Sequence, residues 1–259
     1  MNQNTRFMNS LEYLGAIGVG KGWMVSYHHM CRWNSGMFYK HPRLDTFDWY
    51  WRVEPDVKFL CDIDYDPFQF MVRHNKTYGS FNINILDDAR SFPSLWKTTK
   101  EFMSLRPELL HPDRNLDWLL DEDGEYNSCQ YFSNFEIANL NFFRGDKYNA
   151  YFDYLDKKGG FFYERLGDAP VHTLALSLLL PKDAVHFFRD IGYVHDVNSH
   201  CPPFMEQKCQ CEPTSLDSGT DMLVPPESPQ KRPIESCIRR WLGAKWIKNQ
   251  SDESDEDDI

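Results

Sequence analysis

No run in this 259-residue chain is apolar for long enough to cross a membrane. The longest, LALSLLL at 174–180, falls well short of the roughly 20 residues that a spanning helix needs. The N-terminus, MNQNTRFMNSLEYLG, lacks the charged-then-apolar layout of a secretory signal. No basic patch interleaved with aromatics occurs, so nucleic acid is not an expected partner. The formal net charge is −11, and residues 251–259, SDESDEDDI, concentrate much of that excess in a tail expected to be solvated and disordered. G-x-S-x-G, the protein-kinase set and H-E-x-x-H are missing, which removes serine hydrolase, kinase and zincin chemistry. GAIGVGKG at 15–22 lacks full phosphate-loop spacing, with no Ser or Thr after Lys21. There is no C-x-x-C pair to complete a zinc site with His28, His29 and Cys31, and adjacent histidines on a strand would point to opposite faces. No internal repeat is visible.

What the chain does contain is enough for a large core: 41% of residues are hydrophobic and 15% aromatic. Seven cysteines, three of them clustered as Cys201, Cys209 and Cys211 beside prolines, suggest disulfides and hence an oxidising compartment. The odd count leaves at least one thiol unpaired, and pairing cannot be deduced from spacing. Asn75-Lys76-Thr77 and Asn249-Gln250-Ser251 form glycosylation sequons. Together these features favour a secretory-pathway protein whose extreme N-terminus lies outside this chain.

Residues 1–24 read as irregular, and the globular body as running from about Val25 to about Asn198. Trp49, Trp51 and Val53 alternate, then Val57, Phe59, Cys61 and Ile63, predicting two strands about a proline turn. Phe81, Ile83 and Ile85 predict a further strand. Leu95, Trp96, Phe102 and Met103 share a helical face behind Pro93-Ser94. Tyr148, Tyr151, Phe152 and Leu155 follow i, i+3, i+4, i+7, with Gly159-Gly160 as the stop. Asp168-Ala169-Pro170 opens another helix, Asp168 as its cap. Strands interleaved with helices make the fold class α/β. Beyond residue 200 the composition turns to Pro, Ser and Cys.

Carboxylates lie within or beside apolar segments at Glu54, Asp56, Asp62, Asp64, Asp66, Glu136, Glu164 and Asp168. Burying a carboxylate costs several kcal/mol unless a cation or hydrogen bonds compensate, so such a cluster implies a metal, arginines or exposure. Asp62, Asp64 and Asp66 alternate as a half-solvated strand does. Glu54-Pro55-Asp56 is different, because a proline turn after an apolar strand aims a carboxylate at the strand's end, where α/β crevices form. Mg²⁺ or Mn²⁺ there would take one or two carboxylates and substrate phosphate oxygens. His195 could be a core histidine or an imidazole ligand for Mn²⁺. From the residues alone the reading stops at an α/β protein with a carboxylate-rich, potentially metal-binding crevice.

Longer strings extend it. SYHHMCRWNSGMFYKHP (26–42), WYWRVEPDVKFLCDIDYDPF (49–68), NKTYGSFNI (75–83), YFSNFEIANLNFFR (131–144), GGFFYERLGDAPVHTLAL (159–176) and HFFRDIGYVHD (186–196) resemble the fungal α-1,2-mannosyltransferases of glycosyltransferase family 15. The resemblance runs over about residues 25–211. It implies a GT-A-like fold with a mixed central sheet, GDP-mannose as donor, a mannosylated glycan as acceptor, Mn²⁺ as cofactor, retention at the anomeric carbon, and a Golgi enzyme anchored in the membrane by an N-terminal segment. By motif it implies Glu54 and His195 as metal ligands, Glu136 as the proposed nucleophile with Asp168 in the same site, and Tyr27 and Arg52 lining the donor pocket. Glu136 could act by double displacement or by electrostatic stabilisation on a front-face route. Family members carry an anchor, a stem and the first nucleotide-binding strands ahead of the Ser-Tyr-His motif, where this chain has about two dozen unmatched residues. The expected division is an unmatched segment 1–24, a partial catalytic domain 25–211 and an extension 212–259. An N-terminally truncated chain that only binds glycan or a partner is the alternative, and a glycoside hydrolase using Glu136 and Asp168 a weaker one.

Overall fold

The computed structural model describes residues 3–81, 83–85, 88–195, 198–202, 208–211 and 237–243. The sequon at Asn249, the acidic tail and most of the segment 212–259 lie outside the described residues.

Helix α1 (Gln3–Ala16) replaces the irregular start expected of residues 1–24. Phe7, Leu11 and Leu14 recur at i, i+4 and i+7, and Leu11 and Leu14 are buried, which is the stripe a packed helix needs. Helix α2 (Val25–Gly36) replaces the strand assumed for His28-His29. His28, Cys31 and Ser35 face inward at helical spacing while His29 is exposed. The buried His28 ring lies between the carbonyl oxygens of Gly22 and Phe161 (2.8 and 2.6 Å), so it is held in the core. Gly36 ends α2 against the Phe152 ring; a Cβ there would stand 2.0 Å from a ring carbon.

The central sheet has the order β1 (Trp49–Val53), β6 (Phe135–Asn139), β3 (Tyr78–Ser80), β7 (Val185–Phe187). Its first three strands are antiparallel and β7 joins β3 in parallel, so the sheet is mixed as expected. Directly opposed residues share a face. Register therefore sets Tyr50, Arg52, Tyr78, Ser80, Glu136 and Ala138 on one side, and Trp51, Gly79 and Ile137 on the other. The second side builds an aromatic cluster in which Phe81 stacks between Trp51 and Phe188 (ring centroids 5.7 and 4.9 Å). Each such buried ring contributes about 1.5–3 kcal/mol. The first side faces the larger core, formed with α4 (Leu95–Leu105), α6 (Asp146–Lys158) and α8 (Asp168–Leu179), with α2 packed on α6 and α8. Helices α4 and α6 lie where periodicity places them, and Gly159 caps α6 in the left-handed region (φ 81°). Short helices α5 (Leu140–Arg144) and α7 (Gly160–Tyr163) flank α6.

The strand expected over 57–63 reduces to β2 (Lys58–Phe59), because the chain changes partners: Leu60 donates to Gly192 O and Asp62 to Lys208 O. With β8 (Tyr193–His195) and β9 (Asn198–His200), β2 forms a three-stranded antiparallel sheet. Asp66 caps α3 (Pro67–Arg73) through the amides of Phe68 and Gln69, and Asp64 pairs with Lys208 at 2.5 Å. Strands β4 (Ile83–Ile85) and β5 (Cys129–Tyr131) pair under α8 and α9 (Cys237–Leu242). Disulfides join Cys61 to Cys209, Cys129 to Cys237 and Cys201 to Cys211, leaving Cys31 as a buried thiol. Among the described residues, the one set of three or more ligands within metal reach is Cys61, Cys209 and Cys211, all committed to these disulfides. No helix among them is long and apolar enough to cross a membrane.

Candidate active site

Strand β1 alternates aromatic residues facing one core with Tyr50 and Arg52 facing the other. It ends at Val53, and the chain turns through Glu54-Pro55-Asp56 with Asp56 in the left-handed region (φ 65°). Proline followed by a positive-φ residue suits the two central positions of a type II turn. The turn sets Glu54 beside Arg52, which donates to Glu54 Oε1 through Nε (2.8 Å) and Nη2 (2.5 Å).

Arg52 Nη1 also donates to Asp168 Oδ2 at 2.5 Å, and Ser133 Oγ donates to the same oxygen at 2.8 Å. Asp168 is thus not the cap of α8. Gly167 occupies the cap position and Asp168 is the first helical residue, its carboxylate drawn to the sheet by the guanidinium. Burial pushes the Asp168 carboxyl up, but the charges of Arg52 and His172, with hydrogen bonds from Arg52 and Ser133, together leave it below the usual value. Burial likewise acts against the Arg52 cation, yet Asp168, Glu136 and Glu54 together hold its pKa above the ordinary value.

Glu136 stands opposite Arg52 in the register and is 1% exposed. Three donors converge on it: Tyr50 OH on Oε1 (2.6 Å), and Tyr78 OH (2.8 Å) and His172 Nδ1 (3.0 Å) on Oε2. Burial raises its pKa, while the charges of His172 and Arg52 and the hydrogen bonds outweigh that and bring it below 4.5. Burial keeps both tyrosine hydroxyls protonated, their pKa values driven well above 10, so they remain donors.

His195 ends β8, on the second sheet. The Asn134 side-chain nitrogen lies 3.3 Å from its Nδ1. Asn134 precedes Phe135, the partner of Val53, so Asn134, Glu54 and His195 gather at one end of β1. Glu54 and His195 are the residues there that could hold a metal, and Glu54 Oε2 takes no hydrogen bond among the described residues. Tyr27 lies on α2 with the cations of Lys21 and Arg165 over its ring (4.9 and 5.7 Å).

Arg52, Glu54, Glu136 and Asp168 thus form one charge cluster. The sequence reading missed Tyr50, Tyr78, Ser133 and His172. Tyr50 and Arg52 share the polar side of a period-2 pattern, and Asp168 and His172 are four apart on a helix, so those two carried a signal. Tyr78 and Ser133 carried none.

The family model described as Glycolipid 2-alpha-mannosyltransferase matches residues 3–222, taking in α1 as well as the motif strings. Glycolipid 2-alpha-mannosyltransferase 2 of Candida albicans is 53% identical over 193 residues, 73% of this chain and 42% of that protein. O-glycoside alpha-1,2-mannosyltransferase omh1 of Schizosaccharomyces pombe is 50% identical over 206 residues, 78% of this chain and 52% of that protein. The chain spans about half the length of these curated relatives. The crystal structure of core-mannan synthase A (CmsA/Ktr4) from Aspergillus fumigatus in its Mn/GDP form is 41% identical and superposes with a TM-score of 0.81 over 93% of this chain and 64% of that one. The mannosyltransferase Ktr4p of S. cerevisiae in complex with GDP gives 0.82 at 34% identity, over 93% of this chain and 62% of that one. This chain belongs to the glycolipid 2-alpha-mannosyltransferase family, glycosyltransferase family 15.

Proposed function

We propose that this chain carries the reaction-centre part of a retaining α-1,2-mannosyltransferase, moving mannose from GDP-mannose to a mannose-terminated glycan. One observation carries the reading: a buried, ionised Glu136 beside the Arg52–Asp168–Glu54 cluster, in a chain that superposes on a Mn/GDP-form family member. In this reading residues 25–211 are the catalytic part and 212–259 an extension.

The end of β1 suits a manganese ion. A carboxylate and an imidazole are ligands that Mn²⁺ accepts, and one Glu54 oxygen is left over by Arg52. Glu54 and His195 would hold the ion, which when bound supplies positive charge to the departing diphosphate. Transfer breaks the C1–O bond to phosphate and forms a C1–O bond to the acceptor hydroxyl oxygen on the same face, the hydroxyl's proton passing to the departing phosphate oxygen. Positive charge develops at C1 between these events. Glu136, fixed by three donors and 1% exposed, serves as a negative charge toward that centre rather than as an attacking group. Arg52 and Asp168 orient sugar hydroxyls, and Tyr27 lines the donor side. The three disulfides support an oxidising compartment, and the Golgi lumen fits that requirement.

The test is calorimetric titration of GDP with and without Mn²⁺, followed by mannose transfer from GDP-mannose to a mannoside acceptor. Manganese-dependent binding and transfer are expected. A chain that binds mannan but neither GDP nor donor would overturn the reading in favour of a glycan-binding role. Glu136→Gln should lower turnover on the order of 100- to 1000-fold while GDP affinity stays near wild type; normal turnover would remove Glu136 from its role.

A further inference from the structure

Both nitrogens of the His172 ring face acceptors. Nε2 lies 3.1 Å from the backbone oxygen of Asn34 on α2, which can only accept, so this nitrogen carries a hydrogen. Nδ1 lies 3.0 Å from Glu136 Oε2, and one proton occupies that gap. Its position follows from the rest of the cage. The carboxylate already accepts from Tyr50 and Tyr78, and Arg52 is opposite it in the register; all three favour the anion. An imidazole is also the stronger base of the two.

We propose that His172 is a positioning residue, a buried imidazolium ion-paired to Glu136 that fixes the carboxylate's orientation and keeps it charged. The proposal rests on the mannosyl-transfer reading. The ring is fully buried at the foot of α8, so it acts on the reaction through Glu136 and not by touching the sugar. Neighbouring elements present Glu136 from β6, Tyr50 and Arg52 from β1, Tyr78 from β3 and Tyr148 from α6, with Asp168 one turn back on α8 itself. Of these, Glu136 and Asp168 favour the imidazolium and Arg52 opposes it. Burial acts to remove the proton, and the charge and hydrogen bond of Glu136 together with the charge of Asp168 outweigh burial, holding the ring's pKa above 6.5. Two edges of the ring are clamped, by Glu136 and by Asn34, while Phe143 packs against it at 4.9 Å between centroids. Such an arrangement transmits the position of α2 and α8 to the carboxylate.

The experiment pairs ring ¹⁵N spectra of histidine-labelled protein with kinetics of His172→Gln, which keeps a donor but loses the charge. In the wild type the His172 signals, assigned by their loss in the variant and so told apart from those of buried His28, should show both ring nitrogens protonated above the pH at which exposed histidines are neutral. His172→Gln should lower kcat about 10- to 100-fold, the range for loss of a group that orients a functional ligand through a hydrogen bond. KM and manganese-dependent GDP binding should hold, and the alkaline fall in kcat expected of the wild type should be absent from the variant. A wild-type ring with a single proton at neutral pH overturns the proposal, as does a variant with unchanged kcat and pH profile. If the variant fails to fold, the wild-type spectrum still decides. Absence of GDP binding and transfer in wild type would defeat the mannosyl-transfer reading instead, and the spectrum distinguishes that case because it needs no donor.

Discussion

Arg52 does two jobs with one planar group. Its fork reaches Glu54 with two nitrogens and Asp168 with the third, which a lysine's point charge cannot reproduce. Arg52→Ala would leave a buried carboxylate unpaired, and a loss of about 3–5 kcal/mol in urea unfolding is expected. The pH dependence follows from the same charges. His172 has a folded pKa above its ordinary 6.5, so its contribution is fully present below 6.5 and disappears as pH rises through the folded value. Glu136 and Asp168 have folded values below 4.5 and 3.8, so theirs is present above those values and disappears as pH falls through the depressed ones. Thermal melts should therefore give maximum stability between the carboxylate and imidazole ranges. Glu136→Gln should weaken the decline on both sides, and an unchanged alkaline limb would contradict the ion pair.

Among the elements, α2 shows how a close approach decides packing. Gly36 lets the Phe152 ring on α6 lie against its backbone, and Phe152 is itself 1% exposed with no room to retreat. Gly36→Ala should cost about 1–3 kcal/mol in denaturant titration despite the better helix propensity of alanine. The same element explains why the His-His pair was misread as a strand. Adjacent histidines say nothing of periodicity, whereas His28, Cys31 and Ser35 together do. Helices α4 and α6 were legible because their apolar residues recur along several turns of one face. Strand β3 was not, because Tyr-Gly-Ser is too short to show alternation and Gly79 leaves no side chain, the space being filled by Phe188.

At the scale of the molecule, two disulfides clasp the sheet that bears His195. Cys61–Cys209 and Cys201–Cys211 lie side by side, joining the ends of β2 and β9 to the segment 209–211, and Cys129–Cys237 ties α9 to the larger core. The first and last of these span 148 and 108 residues of sequence. Long loops gain most from closure, so reduction should remove about 2–5 kcal/mol per bridge and lower the melting temperature sharply. If Glu54 and His195 hold manganese as proposed, its affinity should fall before global unfolding, because both bridges support the sheet that bears His195. Melting curves that coincide with and without reductant would refute these pairings.

Alone, the sequence determined the α/β class, the aromatic alternation of β1, the long helices and the family. Those properties are local, written in the spacing of neighbouring residues or in contiguous strings. Only the tertiary structure decided that Arg52, Glu136, Asp168 and His172 share one cluster, that Asp168 turns to an arginine instead of capping its helix, and which cysteines pair. Each depends on groups far apart in the chain meeting in a low-dielectric interior, where an unpaired charge is too costly to leave alone. Spacing shows only the pairs within one element, Tyr50 with Arg52 and Asp168 with His172; the register of β1 on β6 and the packing of α8 across them join those pairs.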